Sequence, residues 1–552
     1  MIKSCIVSLL PLAVTAKAAL ECTSEAFAPF LPANARVVQT TQLGDNSTFQ
    51  VPPSNIAYPR SPVGLQALCA VQVNVVSSNS SAFDFGLFLP NQWNNRFIAV
   101  GNGGFAGGIN WLDMGAVVRY GFASMSTDTG HNSTSVDISW ALNEEEKKID
   151  WGYRAMHGSV VIAKQLTEAF YGSKPTYNYY SGCSTGGRQG LRDLQLYPED
   201  FDGVLAGAPA WWSTHLSPWT VKLGTYNLPI DSPGRIDPSL FPLVEREIQR
   251  QCDAQDGLRD NIISDPRGCN VFLESLLCAA NANNTTTCLT VPQIETLTNI
   301  YTDYIDTNQT LVFPRLEPGS EFQWPIVLAG AEPNPLGTEY IQYFVLNDPN
   351  WDYRTYDYSI VQLADRLDPG NATADDYDLR PFKARGGKLL MYHGLADGLI
   401  APGSSEVFYK NVYRALYPNG VNVNDFFRLF LVPGMGHCGG TSDLASAPWY
   451  FAGANQAGDL VTDAVYSVPG FEDAKHDALL ALMRWTEEGE APEEIVATRY
   501  RNDTIANGVE RQRPLCVFPL QARFQGGDAD VPESWRCEDI ANGVGVQGKG
   551  GY

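Results

Sequence analysis

One short stretch, YNYYSGCSTGGRQGL, constrains the fold of this chain more than any other feature. It spans Tyr177 to Leu191 and joins an aromatic, strand-like run directly to a helix-forming run. Between them, Gly182 to Gly186 match the pattern G-x-S-x-G, in which the serine occupies a strained turn and the glycines allow close backbone approach. The pattern alone is weak, and an idle serine in a glycine-rich turn is the simpler alternative. Its place between strand and helix favours Ser184 as a nucleophile.

Strand-like and helix-like runs alternate on both sides of this turn. Short apolar runs predict strands at 96–100, 120–125, 176–180, 203–206, 386–394 and 428–434. Apolar residues at helical spacing predict helices over 151–171, 187–196 and 474–487. This alternation implies an α/β fold with a mostly parallel sheet and helices on both faces.

Residues 209–381 interrupt that alternation. They are rich in aromatic residues, Pro and Asn, and they contain four of the cysteines. We predict that they form a second domain inserted between two strands of the sheet. The catalytic domain then comprises 19–208 and 382–540, and residues 541–552 form a flexible tail.

The first 18 residues have the layout of a secretory signal peptide. Lys3 precedes an apolar run over 6–14, and Ala16 to Ala18 form a small-residue cleavage site. A buried N-terminal helix is the alternative. No later stretch of about 18 uninterrupted apolar residues predicts a membrane span. The net charge of −23 argues against nucleic acid, whose binding needs a basic surface. The sequence therefore predicts an extracellular protein.

Cysteines and glycosylation sequons agree with export. Removal of Cys5 with the signal leaves an even ten of the 11 cysteines, which suggests disulfides of undetermined connectivity. The number of Asn-x-Ser/Thr sequons suggests a glycosylated protein; they begin at Asn46, Asn79, Asn132, Asn283, Asn284, Asn308, Asn371 and Asn502.

A nucleophilic serine needs a base and a group that orients the base. His437 lies in the loop PGMGHCGG after a predicted strand, and Asp397 lies in HGLADGLI after another. The chain order Ser184, Asp397, His437 is the order found in sheet hydrolases with this serine turn. These three residues are the candidate triad.

Two cysteines stand beside the candidate nucleophile and base. Cys183 precedes Ser184, and Cys438 follows His437. A disulfide between them would bring their Cα atoms to about 4.4–6.8 Å and make nucleophile and base neighbours. The alternative is that each cysteine pairs elsewhere.

With these motifs the chain resembles the fungal tannase and feruloyl esterase family of secreted α/β-hydrolases. The resemblance rests on the Cys-Ser, Asp, His-Cys constellation and on GNGGFAGG, STDTGH, GCSTGGRQG, GGKLLMYHG and GMGHCG. It implies an α/β-hydrolase whose inserted domain 209–381 is a lid, with Ser184 as nucleophile. The backbone N–H of Thr185 and one from the glycine loop, at Gly103 or Gly104, are expected to bind the oxyanion. We predict Gly104.

The resemblance also implies a structural calcium ion in the lid. The loop CDAQDGLRDNIISDP lacks the EF-hand spacing, and on spacing alone a solvated Asp-Gly turn is favoured. The implied ligands are the carboxylates of Asp253, Asp256 and Asp260 and the carbonyls of Leu258 and Ile262. Disulfides Cys252–Cys269 and Cys278–Cys288 are expected around the loop. Cys22, Cys69, Cys516 and Cys537 are expected in disulfides without assigned partners.

The implied substrates are phenolic esters, either small molecules or feruloylated polysaccharides. GCSTGGRQG with a compact lid looks more like the feruloyl esterases, and a tannase that cleaves galloyl esters is the alternative. A catalytically silent binding module and a metal-dependent hydrolase remain open. Stacking candidates in the acyl pocket are Trp211, Trp212, Trp219, Tyr226, Trp324 and Trp351, although core packing is favoured for most of them.

Overall fold

A computed structural model describes residues 20–279, 286–456, 458–460 and 466–539 of the 552. The predicted signal peptide, the tail 541–552 and the sequons at Asn283 and Asn284 lie outside these residues.

Fifteen strands occur in the described residues, and nine of them form one sheet. They are β1 (Ala35–Leu43), β2 (Leu68–Val76), β3 (Ala82–Pro90), β4 (Arg96–Val100), β5 (Ala123–Thr127), β6 (Tyr177–Cys183), β7 (Gly203–Gly207), β8 (Tyr304–Ile305), β9 (Leu311–Phe313), β10 (Lys388–Gly394), β11 (Phe427–Val432), β12 (Glu494–Tyr500), β13 (Val509–Cys516), β14 (Gln521–Phe524) and β15 (Trp535–Glu538). The large sheet has the order β1-β2-β3-β5-β4-β6-β7-β10-β11. Pairing is antiparallel from β1 to β5 and parallel from β5 to β11.

Fourteen α-helices occur in the described residues. They are α1 (Ser24–Phe27), α2 (Trp111–Val118), α3 (Glu145–Ile149), α4 (Ala155–Tyr171), α5 (Thr185–Leu196), α6 (Ser213–Tyr226), α7 (Phe241–Cys252), α8 (Val291–Ile300), α9 (Pro325–Leu328), α10 (Pro335–Glu339), α11 (Ser359–Leu367), α12 (Arg380–Ala384), α13 (Gly403–Leu416) and α14 (Ala478–Glu488). A π-helical turn, Asp150–Arg154, joins α3 to α4. No helix in the described part of the chain combines the length and apolar character needed to cross a membrane.

The central strands are buried on both faces, as expected for parallel strands between helices. Every residue of β5 and β7 is buried. Apolar residues of α4, α5 and α13 form a core on one face, and those of α2 and α14 form a second core on the other. The predicted α/β architecture with a mostly parallel sheet is confirmed.

The strands β7 and β10 are parallel neighbours, although residues 208–387 lie between them in sequence. We call residues 208–387 the inserted segment. It contains the helices α6–α12 and the β8–β9 hairpin, and much of it surrounds its own apolar core, which includes Trp219, Phe241 and Trp324. The prediction that 209–381 is a separate lid domain stays a prediction.

Five disulfides link the ten described cysteines: Cys22–Cys69, Cys183–Cys438, Cys252–Cys269, Cys278–Cys288 and Cys516–Cys537. The three predicted pairings are among them. The other two, Cys22–Cys69 and Cys516–Cys537, join cysteines whose partners were not predicted.

Candidate active site

The turn at Ser184 has the strained geometry that the motif predicts. Ser184 has φ 63° and ψ −125°, between the end of β6 and the start of α5. Its N–H donates to the carbonyl of Gly207 at 2.9 Å. A Cβ on Gly182 would lie 2.8 Å from the backbone of Gly186, so glycine is needed for this approach. The structure therefore places a partly exposed serine at a sharp strand-to-helix turn.

Asp397 and His437 follow β10 and β11, so the parallel sheet brings them to the same edge as Ser184. Nδ1 of His437 donates to Oδ2 of Asp397 at 2.7 Å. The other oxygen, Oδ1, accepts the N–H groups of Leu399 and Ile400, both at 2.8 Å. Asp397 is fully buried, and the His437 side chain is 12% exposed. Asp397 can thus orient the imidazole of His437.

The Cys183–Cys438 disulfide connects the serine turn to the histidine loop. The two Cα atoms are 6.0 Å apart, although the cysteines are 255 positions apart in sequence. Because each cysteine adjoins a candidate catalytic residue, Ser184 and His437 are held close together by a covalent bond. This is the juxtaposition that the sequence predicts.

A second histidine, which sequence reasoning did not select, also contacts the buried carboxylate. Nε2 of His393 lies 3.0 Å from Oδ2 of Asp397 and 3.0 Å from the carbonyl of Ile400. Because both oxygens accept, Nε2 carries a proton. Nδ1 lies 2.7 Å from the hydroxyl of Ser405. The sequence contains a signal for this contact, because His393 and Asp397 are only four residues apart at the end of one strand.

Two histidines explain the low pKa of Asp397. Burial alone would raise its pKa, since a buried charge loses its hydration. The charge of His437 and the hydrogen bonds from His393 and His437 outweigh this effect, so the pKa lies well below its ordinary value. Asp397 is therefore an ionised acceptor throughout the neutral range.

Two backbone N–H groups beside Ser184 suit an oxyanion. Thr185 is the first residue of α5, so its N–H has no acceptor within the helix. In the glycine loop, the N–H of Gly103 donates to the hydroxyl of Tyr58 at 2.7 Å. The N–H of Gly104 has no acceptor in the described part of the chain, and Gly104 lines the same cleft as Ser184. The N–H of Gly104 is therefore freer than that of Gly103 to take the predicted oxyanion role, which stays a prediction.

Buried polar groups hold the glycine loop against α5. The side chains of Asn102 and Gln189 are joined by an amide–amide hydrogen bond of 3.1 Å, and the N–H of Asn102 donates to Oε1 of Gln189 at 2.9 Å. Nε2 of His131 donates to the carbonyl of Phe105 at 2.9 Å. Burial lowers the pKa of His131 to about 4, so this histidine is neutral at pH 7. The quoted motifs STDTGH and GCSTGGRQG thus both position the loop.

An apolar cleft opens beside Ser184. Its walls come from the glycine loop, the π-helical turn, helices α6 and α10 and the loop after Asp397, and they include Phe105, Trp151, Leu216, Leu336, Leu399 and Ile400. Three hydroxyl side chains of α6, those of Ser213, Ser217 and Thr220, add polar atoms. None of these side chains is charged, so the cleft suits an uncharged, largely apolar group.

The aromatic residues predicted to stack on an acyl group lie elsewhere. Trp211 and Trp324 are fully buried, and Trp219 is 2% exposed. None of the six candidates contributes to the cleft beside Ser184. Core packing, the favoured interpretation for most of them, accounts for these positions. The aromatic walls are instead Phe105 and Trp151, which stack with ring centroids 4.7 Å apart and which precede the inserted segment.

The loop predicted to hold calcium is ordered by its own carboxylates. Oδ1 of Asp253 accepts the N–H of Asp260, and Oδ1 of Asp256 accepts that of Leu258, both at 3.0 Å. Asp260 also forms an ion pair with Arg513. In the described residues no group of three or more His, Cys, Asp or Glu side chains is arranged to hold a metal ion.

The chemistry of this loop is nevertheless compatible with a hard cation. Burial, together with the charges of Asp260 and Asp256, raises the pKa of Asp253. A divalent cation would relieve that repulsion, and carboxylate and carbonyl oxygens are the ligands that Ca²⁺ takes. In chemical type, the three carboxylates and the carbonyls of Leu258 and Ile262 are therefore ligands that calcium takes. The ion itself remains a prediction.

The six described sequon asparagines, Asn46, Asn79, Asn132, Asn308, Asn371 and Asn502, are all exposed. Their positions are compatible with glycans, whose presence stays a prediction.

The sequence is similar to proteins of one known family. It matches the family described as "Tannase and feruloyl esterase" over residues 69–538. It is 35% identical over 495 residues to a protein named probable feruloyl esterase B-2 from Aspergillus terreus, covering 90% of each chain. This chain belongs to the tannase and feruloyl esterase family. Its predicted class, a carboxylic-ester hydrolase, is therefore confirmed.

Solved structures agree with this family assignment. The crystal structure of feruloyl esterase B from Aspergillus oryzae matches with a TM-score of 0.85 and 31% identity, covering 94% of this chain and 99% of that one. Tannin acyl hydrolase from Aspergillus niger matches with a TM-score of 0.73 and 22% identity, covering 95% and 97%. The second match supports the fold alone. The predicted α/β-hydrolase fold is confirmed.

Proposed function

We propose that this family member is a secreted serine esterase that releases hydroxycinnamic acids from phenolic esters of plant cell walls. The single observation that carries the proposal is the covalent link between the strained Ser184 turn and the His437–Asp397 pair. A serine, a base and an orienting acid on one edge of the sheet suit acyl transfer.

The reaction proceeds in two steps through an acyl-enzyme. Oγ of Ser184 attacks the ester carbonyl while His437 takes the serine proton, and the developing oxyanion accepts from the N–H groups of Thr185 and Gly104. His437 then gives the proton to the departing alcohol. Water, deprotonated by His437, attacks the acyl-enzyme and releases the acid. Asp397 holds the imidazole and stabilises its charged form.

Cleft chemistry and similarity both favour a hydroxycinnamoyl ester. The walls are apolar and uncharged, and a few hydroxyls of α6 could meet a phenolic group. Identity to feruloyl esterase B is 31% over a structure that covers nearly all of the chain, whereas identity to tannin acyl hydrolase is 22%. A tannase acting on galloyl esters is the second candidate, because that fold also matches.

Secretion and a calcium ion complete the proposal. Five disulfides and six exposed sequons suit an oxidising, glycosylating route of export. The inserted segment acts as a lid over the cleft, to which it contributes Leu216 and Leu336. Calcium, held by Asp253, Asp256 and Asp260, is structural. The N-terminus of the exported protein, read by mass spectrometry before and after deglycosylation, tests cleavage after Ala18 and the use of each sequon.

The decisive assay is hydrolysis of methyl ferulate, caffeate, p-coumarate, sinapate and gallate by wild type and Ser184→Ala. We expect turnover of the hydroxycinnamates and its loss in the variant, with an unchanged melting temperature. Turnover of gallate alone would identify a tannase. No turnover of any ester by folded protein would leave a silent binding module.

A further inference from the structure

We propose that Gln323, a residue of the inserted segment, is a positioning residue that ties the acid loop to the base loop of the active site. Its Oε1 accepts the N–H of His437 at 2.9 Å and the N–H of Gly398 at 3.0 Å. Gly398 directly follows Asp397. One side-chain oxygen thus holds the backbone of both loops whose side chains form the His437–Asp397 pair. This inference rests on the proposed roles of those two residues.

The two loops have glycines where the inserted segment approaches. A Cβ on Gly398 would lie 2.7 Å from Cβ of Gln323 and 3.0 Å from the carbonyl oxygen of Ser320. A Cβ on Gly436, next to His437, would lie 2.5 Å from Nε2 of Gln323. The contact is therefore close on both sides and leaves no space for a larger residue.

The position of Gln323 is itself fixed by buried neighbours. Trp324 is fully buried, packs at 5.5 Å against Phe241 and donates from Nε1 to the hydroxyl of Ser320 at 3.0 Å. Glu321 is fully buried, and it accepts the N–H of Gly319 at 3.0 Å. These anchors belong to the core of the inserted segment, so that core sets where the acceptor oxygen lies. The inserted segment thereby does more than cover the cleft, because it helps to align the catalytic pair.

The test compares three variants on one hydroxycinnamate ester. Gln323→Met removes the acceptor at similar volume, Gln323→Glu keeps an acceptor for both N–H groups, and Gln342→Met is the matched control. Gln342 is also half-buried in the inserted segment, but its amide donates to the carbonyl of Trp351 within that segment. kcat, KM, the pH profile and the melting temperature are measured for each.

We expect Gln323→Met to lower kcat about 10- to 100-fold with little change in KM, because misaligned groups cost rate more than binding. Gln323→Glu should restore most of kcat at the plateau of the pH profile. Its negative charge should also move the acid limb of that profile to higher pH, since it favours the charged imidazole. Gln342→Met should behave as wild type.

Several outcomes would contradict the proposed role of Gln323 and leave the proposed esterase function unaffected. Wild-type kcat in Gln323→Met would show that the bridge is dispensable. Equal loss in the Met and Glu variants, with an unmoved acid limb, would indicate packing alone. Equal loss in Gln342→Met would indicate general loosening of the inserted segment. Failure of the proposed function has a different signature: wild type itself turns over no ester, or Ser184→Ala stays active.

Discussion

At the residue scale, the candidate site depends on one buried carboxylate with several donors. Asp397 receives hydrogen bonds from two histidines and two backbone N–H groups. Only the bond to His437 orients the proposed base. The bonds from His393, Leu399 and Ile400 instead hold the carboxylate in place, and a fixed acceptor is what a general base requires.

The first prediction concerns His393, a fully buried residue whose Nε2 donates to Asp397. We expect His393→Leu to lower kcat about tenfold, because Oδ2 of Asp397 loses a fixed donor. The unpaired Ser405 hydroxyl and Ile400 carbonyl should lower the free energy of unfolding by about 1–3 kcal/mol. Steady-state kinetics and urea unfolding measure both effects.

Ser405→Ala is the control for this prediction. It removes only the hydroxyl that contacts Nδ1 of His393 and leaves the bond to Asp397 in place. Its kcat should stay near that of wild type. Full activity of His393→Leu would show that Asp397 needs no second histidine.

At the element scale, the short helical turn that carries Gln323 contains a carboxyl group sensitive to pH. Burial raises the pKa of Glu321 to about 7, against the lowering effect of hydrogen bonds from Tyr301 and Gly319. Between about pH 4.5 and 7 the folded protein therefore holds this proton while the unfolded chain releases it. The contribution of protonated Glu321 to the free energy of unfolding is therefore fully present below about pH 4.5. It is lost as the pH rises through 7, where the carboxyl group ionises in the folded protein.

The second prediction follows from that linkage. Glu321→Gln keeps an oxygen for Tyr301 and Gly319 but cannot ionise. The variant should gain stability relative to wild type as pH rises from 5 to 8, by up to about 3 kcal/mol. Denaturant unfolding at several pH values measures it, with Glu332→Gln, an exposed glutamate of the same segment, as control. If the difference in unfolding free energy between Glu321→Gln and wild type did not change with pH, the pKa of Glu321 in the folded protein would not be raised.

The third prediction concerns the disulfide between the serine turn and the histidine loop. Replacing Cys183 and Cys438 by alanine opens a loop closed across 255 positions, and the chain-entropy relation gives this bond about 5.5 kcal/mol of stabilisation. The variant should also lose most of its kcat, because Ser184 and His437 are no longer tethered.

The double variant Cys516→Ala/Cys537→Ala is the matched control. It removes a bond across 21 positions, worth about 3 kcal/mol on the same relation, in the C-terminal hairpins. Its kcat should be retained at temperatures where it is folded. If the variant that lacks the Cys183–Cys438 bond kept its kcat, this disulfide would contribute to stability and not to catalysis.

Sequence patterns predicted the elements that follow simple periodicity. The strand at 96–100 coincides with β4, and the turn at Ser184 lies where the motif placed it. The predicted strand at 120–125 is β5 (Ala123–Thr127) instead, since Tyr120 still belongs to the turn after α2. The antiparallel strands β1–β3 were not predicted, although only a short connection separates β2 from β3.

At the scale of the whole molecule, long-range contacts were the part least accessible from sequence. Adjacent cysteines predicted the link between Ser184 and His437, whereas the link from Gln323 to His437 spans 114 positions and has no local signature. Similarly, Trp151 forms a wall of the cleft through a π-helical turn that a regular helical period does not reveal. Three of the aromatic residues that composition singled out in the inserted segment, Trp211, Trp219 and Trp324, are buried in cores instead.

The fourth prediction addresses the calcium loop as a stabilising element of the whole molecule. Chelation with EGTA should lower the melting temperature, and added Ca²⁺ should restore it, because bound ligand stabilises the folded state. kcat at 25 °C should not change immediately. Asp253→Asn should remove the response to EGTA, whereas Asp231→Asn, at an exposed site of the same segment, should keep it. Immediate loss of turnover at an unchanged melting temperature would point to metal-dependent hydrolysis instead.

The measurement that tests the central claim most directly is covalent trapping of the nucleophile. The protein is incubated with a p-nitrophenyl phosphonate, digested, and mapped by mass spectrometry beside Ser184→Ala. The account predicts one phosphonyl group per molecule, on Ser184, formed in step with loss of esterase activity and absent from the variant. An adduct on another residue, or complete inhibition with Ser184 unmodified, would contradict it.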